Sequence, residues 1–365
     1  MGKRIVIAGG GTGGHIFPAV AVANALRRID PSTSILFVGA KGKMEMEKVP
    51  KAGYEIRGLD IAGFDRGHWW KNITLPYKLL KSFLQVRSIF NQFKPDAAFG
   101  VGGYSSFPVL RYAQTNNIPT YLHEANAFGG KSNMLLSKRA KKVFTGTQGM
   151  EKFFPAGKIM FTGNPVRKEV IQSGISKAEA LAAFGLKEGM ITLLVVGGSL
   201  GARSINIAVS QGVRRWVTKG YQIIWQTGQL FGQQATEAVK GLSGVFVSDF
   251  VWDMNAAYSA SDLVISRAGA MSVTELCLTG KPVIFVPFPY AAEDHQTANA
   301  MALVEKDAAW IVKDSDVSDH LMERAFVLAA DKELREKMHR NIKPLAKDDA
   351  DIVIANEILN DLKNS

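Results

Sequence analysis

The 365-residue sequence reads as an α/β protein made of two nucleotide-fold lobes facing one cleft. Three observations predict it. Short apolar strands alternate with helical stretches in two successive series. Four glycine-dense turns punctuate those series, GGGTGGH at 9–15, GVGGY at 100–104, GGSLG at 197–201 and SRAGA at 266–270, and the first three each follow an apolar strand. Such turns let the backbone approach an anion closely while the next helix points unpaired N–H groups at it. Between the two series stands Thr162-Gly163-Asn164-Pro165, a break that neither strand nor helix continues through.

In the first series, residues 4–8, 34–38, 54–59, 96–100, 120–124 and 142–145 read as strands, with helices over stretches such as 18–28 and 108–116. Alternation of this kind builds a parallel sheet covered on both faces. The second series places strands at 192–196, 222–226, 245–247, 263–265 and 283–286. The lobes are therefore expected at 1–163 and 164–341. The last stretch, 348–363, carries Ile354, Ile358 and Leu362 at helical spacing, flanked by Ala355 and Leu359. Lying after Pro344, that helix is free to cap the second lobe or to cross back onto the first.

With 47% hydrophobic residues the chain is able to fill two cores. No apolar run approaches the roughly 18 residues of a membrane span, and the four apolar residues after Lys3-Arg4 fall short of a secretory segment, so a cytoplasmic location is expected. Cys277 is the only cysteine, which excludes an intrachain disulfide and a cysteine-built metal site. The net charge of +11 is unevenly spread: residues 1–165 hold 23 Lys and Arg against 9 Asp and Glu, and residues 166–365 hold 21 against 24. A basic first lobe implies an anionic partner. Nucleic acid is not expected, since the sequence has no zinc-finger spacing, basic heptad helix or aromatic RNA-binding signature.

Gly9, Gly11 and Gly14 satisfy the dinucleotide spacing, but the acidic residue expected about 20 residues on is replaced by Gly39-Ala40-Lys41. Lys41 or Lys43 would suit a 2′-phosphate, which keeps NADP as the lesser alternative. His15, on the first turn of the following helix, suits a titrating group beside a phosphate. In the second lobe Glu275 falls about one turn into a helix, where a carboxylate takes both hydroxyls of a ribose; Gln296 and Asn299 follow on one face of another helix, where amides read hydroxyls. For any one of these alone, a helix cap or a dipole-compensating carboxylate is the blander account.

Seven motifs in order carry a resemblance over nearly the whole length: GGGTGGHIFPAVAVA, GVGGYSSFPVL, HEANAFGGKSN, TGNPVR, GGSLGARSIN, SRAGAMSVTEL and PFPYAAEDHQTANA. With them the chain resembles the MurG family, bacterial glycosyltransferases that add N-acetylglucosamine from UDP-N-acetylglucosamine to lipid I. The resemblance implies the glycosyltransferase B type, two Rossmann-like lobes facing a central cleft, with acceptor in the first, donor in the second, and residues 342–365 crossing back. It implies a donor site lined by Thr12, Gly13, Gly14, Asn126, Arg167, Ser199, Val251, Ala270, Met271, Ser272, Val273, Thr274, Glu275 and Gln296, and an acceptor-pyrophosphate site at Gly11, Gly102, Gly103 and Tyr104. Leu200 departs from the family, where Gln is expected.

Transfer of this kind needs a proton acceptor near the nucleophile and compensation for growing pyrophosphate charge. His15 is the first candidate for the base and Glu124 its rival. Asp314-Ser315-Asp316 and Asp349-Ala350-Asp351 have the Asp-x-Asp form of a metal site but read better as turns and caps, so neither metal nor cofactor is expected. The resemblance implies inversion, giving a β linkage. A polyprenyl-pyrophosphate acceptor brings in the membrane. Between Arg66 and Lys94 six cations and no acidic residue surround Trp69 and Trp70, and the helix after Thr74 adds Tyr77, Leu80 and Leu84 to a stripe through Leu75, Leu79, Phe83, Val86 and Phe90. Trp69, Trp70, Lys78, Leu79, Lys81 and Phe83 are thus expected to form a patch for an anionic membrane surface, placing a peripheral enzyme on the cytoplasmic face of the bacterial inner membrane. A UDP-sugar 2-epimerase of the same fold, needing no such patch, and a nucleotide-binding regulator are the competing classes.

Overall fold

The computed structural model describes residues 2–63, 75–166, 174–198 and 200–364. It divides into two compact units, Met1–Arg167 with Lys347–Ser365, and Lys168–Ala346.

In the first unit β1 (Arg4–Ala8), β2 (Ser34–Ala40), β3 (Glu55–Leu59), β4 (Ala97–Gly100), β5 (Thr120–Glu124), β6 (Lys142–Thr145) and β7 (Ile159–Phe161) form one parallel sheet in the order β3-β2-β1-β4-β5-β6-β7. At its centre Val6 lies level with Leu36 on one side and Ala98 on the other. Successive side chains of a strand point to opposite faces, and both faces are covered. Ile5, Ile7, Phe37 and Phe99 pack under Ile16, Val20 and Leu26 of the helix Gly13–Ile29 and under Ile354, Ile358 and Leu362 of the helix Ala350–Lys363. Val6, Ala8, Leu36 and Ala98 pack against Val86 and Phe90 of the helix Leu75–Phe93 and Val109 and Ala113 of the helix Ser106–Thr115. Tyr121 Oη meets Asp361 Oδ2 at 3.2 Å, and Lys142 pairs with Glu357, so the last helix is fastened by polar contacts as well as its apolar stripe.

The second unit repeats the plan with β8 (Thr192–Val196), β9 (Gln222–Gln226), β10 (Val245–Ser248), β11 (Leu263–Ser266), β12 (Val283–Phe285) and β13 (Trp310–Ile311), in the order β10-β9-β8-β11-β12-β13. Both orders reverse beside the central strand, between β1 and β4 and between β8 and β11. Open parallel sheets bind ligands at the carboxyl ends of strands where the order reverses. The four glycine turns follow β1, β4, β8 and β11, the strands that flank the two reversals.

Several boundaries shift. Strands β7 and β13, of three and two residues, carry too little pattern to stand out in the sequence. The expected boundary at 163/164 moves to 167/168, because Asn164 Nδ2 donates to the Ala125 carbonyl at 3.1 Å and Val166 is buried in the first unit. Residues 342–346 belong to the second unit instead of crossing with the last helix. Ile342 is buried in that unit's core beside Leu303 and Ala308, with Leu345 and Ala346 packed on it, so the crossing begins at Lys347.

Candidate active site

In the first unit the turn after β1 lies against the turn after β4. Gly103 adopts φ +87°, and a Cβ there would stand 2.4 Å from the Gly10 carbonyl oxygen, so the two backbones meet with no room for a side chain. Ser106 Oγ joins them, 2.8 Å from the Ala8 carbonyl oxygen and 2.7 Å from that of Gly102. His15 sits across this junction: a Cβ on Gly102 would be 2.9 Å from both its Cδ2 and its Nε2. The Nδ1 of His15 is 3.2 Å from the Gly10 carbonyl oxygen and 3.3 Å from Thr12 Oγ1. A carbonyl only accepts, so the Gly10 contact places the proton on Nδ1 and leaves Nε2 as the basic nitrogen. Gly13 and Gly14 open the helix, where first-turn N–H groups have no intrahelical acceptor. Tyr104 is half exposed, its ring against the Cα of Gly63.

A residue absent from the sequence expectation organises this turn. Glu45 is 0% exposed, and its two carboxylate oxygens accept the N–H of Gly11 at 2.8 Å and of Ala40 at 2.9 Å. Gly10 and Gly39 are required by it: a Cβ at either would fall 2.2 or 2.5 Å from its side chain. The Gly11 N–H is thus already given to Glu45, so at the expected pyrophosphate site Gly11 offers backbone shape in place of that donor. Glu45 also sets a carboxylate against the glycine turn itself. The signal was present as an acid just past the second strand, but nothing local distinguishes Glu45 from a helix-start acid.

Glu124 is equally committed. Oε1 accepts the N–H of Asn126 at 3.2 Å and its Nδ2 at 3.3 Å, and Oε2 accepts the N–H of Gly130 at 3.0 Å and Asn133 Nδ2 at 2.9 Å. Four donors make this carboxylate the organiser of the 125–130 loop. His123 beside it is buried with its Nε2 3.4 Å from the Gly163 carbonyl oxygen, and burial pushes its pKa down to about 4.

In the second unit the turn after β8 takes positive φ at Gly198 (+87°) and Gly201 (+76°). Gln226 Nε2 donates to the Gly198 carbonyl at 2.9 Å, while its Oε1 accepts the Val251 N–H at 3.0 Å, so one buried amide ties the turn to the 251 segment. The Val251 side chain itself is in the core. After β11 the helix Ala270–Thr279 presents the first-turn N–H groups of Ala270, Met271 and Ser272, whereas Val273 N–H bonds back to Gly269 and Thr274 Oγ1 to the Ala270 carbonyl. Glu275 is half buried and accepts from Tyr258 Oη at 3.0 Å. Gln296 Oε1 accepts the Phe288 N–H at 3.0 Å, and Asn299 Nδ2 donates to the Ala268 carbonyl at 3.0 Å, so these amides brace the walls of the site. Arg267 binds Asp314 Oδ1 at 2.5 Å, Ser204 Oγ at 3.1 Å and the Val286 and Pro287 carbonyls. Asp314 is thereby a strut, and Asp351 pairs with Arg28 at 3.4 Å. Among the described residues no cluster of His, Cys, Asp and Glu is placed to hold a metal.

The turns after β1 and β4 thus bring Gly11, Thr12, Gly13, Gly14, His15, Gly102, Gly103 and Tyr104 together in the first unit, with Glu124 at the end of β5 and Asn126 on the turn after it; Val251, Ala270–Thr279 and Gln296 belong to the second. Arg167 and Ser199 lie outside the described residues. Family models for the glycosyltransferase family 28 N-terminal domain and C-terminal domain match residues 5–145 and 192–356. The chain belongs to glycosyltransferase family 28. Within that family it is of the MurG type. It is 50% identical over 362 residues, 98% of the chain and 95% of the relative, to a Bacteroides fragilis protein named UDP-N-acetylglucosamine–N-acetylmuramyl-(pentapeptide) pyrophosphoryl-undecaprenol N-acetylglucosamine transferase. A protein of the same name from Cytophaga hutchinsonii is 45% identical, over 97% of the chain and 96% of its own length. The crystal structure of Acinetobacter baumannii MurG covers 98% of the chain and 99% of its own with TM-score 0.78 and 29% identity. A UDP-GlcNAc 2-epimerase from Neisseria meningitidis, 16% identical at TM-score 0.70 over 99% of the chain and all of its own, shares the fold alone.

The expected membrane patch of this family 28 enzyme is divided by the structure. Trp69 and Trp70 lie outside the described residues. The helix Leu75–Phe93 buries Ser82, Val86 and Phe90, half-buries Lys78 and Phe83, and leaves Leu79 at the margin. Tyr77, Leu80 and Leu84, successive on one side of that helix, are 67%, 63% and 60% exposed. Lys81 is not an unpartnered cation. Its Nζ meets Asp60 Oδ2 at 2.9 Å, and with Lys41 it holds the Asp60 carboxyl well below the usual carboxylate range. No helix among the described residues is long and apolar enough to cross a membrane.

Proposed function

We propose that this enzyme transfers N-acetylglucosamine from UDP-N-acetylglucosamine to the 4-hydroxyl of the muramoyl sugar of lipid I, forming lipid II for peptidoglycan, with inversion at the sugar carbon and without a metal ion. The observation that carries the reading is the 50% identity over 98% of the chain to a relative named for that donor and acceptor. The roles of individual residues are part of this reading, and the geometry of the described residues supports several of them. His15 acts as general base through Nε2, because the Gly10 carbonyl holds the proton on Nδ1. Glu124, whose oxygens already accept from Asn126, Gly130 and Asn133, positions Asn126 and leaves the base role to His15. Gly102, Gly103 and Tyr104 border the acceptor pyrophosphate, with Gly11 contributing shape. Arg167, the Ser199 turn and the N-terminus of the helix Ala270–Thr279 stabilise the departing UDP, whose charge grows as the glycosidic bond breaks. That electropositive set does the work that a divalent cation does in other sugar transferases, and Asp314 is committed to Arg267. Glu275 receives the ribose hydroxyls.

The acceptor's lipid chain supports a peripheral attachment at the cytoplasmic face of the bacterial inner membrane. Tyr77, Leu80 and Leu84 would enter the lipid and neighbouring cations such as Arg87 would meet anionic headgroups. The reading is tested by incubating purified protein with radiolabelled UDP-N-acetylglucosamine, with and without a short-chain lipid I analogue, in the presence and absence of EDTA. Acceptor-dependent release of UDP that survives EDTA, with a β-linked disaccharide by proton NMR, is expected. Acceptor-independent epimerisation would favour a 2-epimerase, and chelator-sensitive turnover rescued by magnesium would overturn the metal-independent account.

A further inference from the structure

Tyr258 lies on the helix Met254–Ala260, is buried, and donates its hydroxyl to Glu275 Oε2 at 3.0 Å. The bond is the reverse of economical packing. A phenylalanine would fill the same space without burying a hydroxyl, and burying a polar group is costly unless it is bonded. Burial and the nearby Glu275 charge push the phenol well above its ordinary value, so it is a permanent donor. A carboxylate only accepts, and the bond from Tyr258 restrains where its Oε2 can turn. The element bearing Tyr258 is itself fixed at its entry. Asp253 caps it by accepting the Ala256 N–H at 2.9 Å, and Val251, two residues earlier, is tied through Gln226 to the Gly198 turn.

We propose that Tyr258 is a positioning residue for donor specificity, aligning the Glu275 carboxylate so that it accepts both hydroxyls of a nucleotide's ribose at once. The inference rests on the reading of Glu275 as the ribose acceptor. A cis-diol offers two donors a fixed distance apart, and a carboxylate turned away from the matching angle meets only one of them well. Tyr258 therefore affects recognition of the diol and leaves base and phosphate recognition unchanged.

The test measures equilibrium binding of UDP and of 2′-deoxy-UDP by calorimetry to the intact protein, to Tyr258→Phe, to Glu275→Ala and to the double variant, with circular dichroism confirming the fold of each. In Tyr258→Phe the UDP affinity should fall roughly 3- to 10-fold, as for loss of one well-placed hydrogen bond, while 2′-deoxy-UDP binds nearly as before. In the Glu275→Ala background the same substitution should add nothing. Equal weakening of both ligands, no weakening of either, or an additive loss in the double variant overturns the proposal while leaving Glu275 in the site. Unchanged UDP affinity in Glu275→Ala overturns the donor reading and the proposal with it. Should Tyr258→Phe not fold, Tyr258→Leu, smaller and also without a donor, serves as the second variant: preserved preference for UDP over 2′-deoxy-UDP there refutes the role, and lost preference supports it.

Discussion

Glu45→Gln separates the organisation of the glycine turn after β1 from the rest of the enzyme. The carboxylate accepts one backbone N–H on each oxygen, from Gly11 and from Ala40. A glutamine keeps one acceptor and turns an NH2 donor toward the other N–H. The Ala40 amide is buried whereas Gly11 is only half buried, so the remaining oxygen should stay on Ala40 and Gly11 should be released. Hydrogen bonds to a charged group contribute about 1.5–3 kcal/mol, and Gly11 recovers part of its loss from water, so the local cost should be about 1.5–2.5 kcal/mol. When exchange is limited by local opening, that cost makes amide exchange in peptides spanning residues 9–15 about 10- to 70-fold faster. Hydrogen–deuterium exchange by mass spectrometry reads this directly, with peptides spanning 192–198 in the second unit as the internal control. The acceptor KM should rise severalfold with it. Unchanged exchange at 9–15, or equal acceleration in both units, would refute the assignment of Glu45 as the local organiser of the turn.

Replacing the candidate base, His15→Ala should lower kcat by roughly 10²- to 10⁴-fold with little change in UDP affinity by calorimetry; near-normal turnover would remove His15 from the base role. His123 should make the fold acid-sensitive. Its folded pKa of about 4 lies below the unfolded value near 6.5, so between those values the unfolded state binds more protons and stability falls as pH drops, by about 3 kcal/mol at pH 4. Thermal melts of the protein and of His123→Gln across that window should converge by this amount on acidification, and a constant separation would refute it. On vesicles containing phosphatidylglycerol, Leu80→Ser with Leu84→Ser should weaken the salt-resistant part of binding by roughly 2 kcal/mol, since two leucines about 60% exposed would otherwise enter lipid. Binding equal to that of the unaltered protein would place the membrane contact elsewhere.

The sequence by itself determined the two parallel sheets, because buried strands are short apolar runs and the helices between them carry their own period. β1, β5, β6, β8 and β9 span the residues that the pattern marks. It also determined the four glycine turns, since positive φ and backbone approach leave a residue type behind. Tertiary structure decided what the polar residues do. A buried carboxylate accepts from whatever donors the packing brings to it, and its own position does not record them. Glu45 reaches Gly11 across 34 residues, Tyr258 reaches Glu275 across 17, and Arg267 reaches Asp314 across 47. Glu124 and Lys81 look in the sequence like a base and an unpaired cation; the fold brings Asn133 Nδ2 to the first and Asp60 to the second. Those partners stand on different elements, and only the order and register of the sheets bring them within bonding distance.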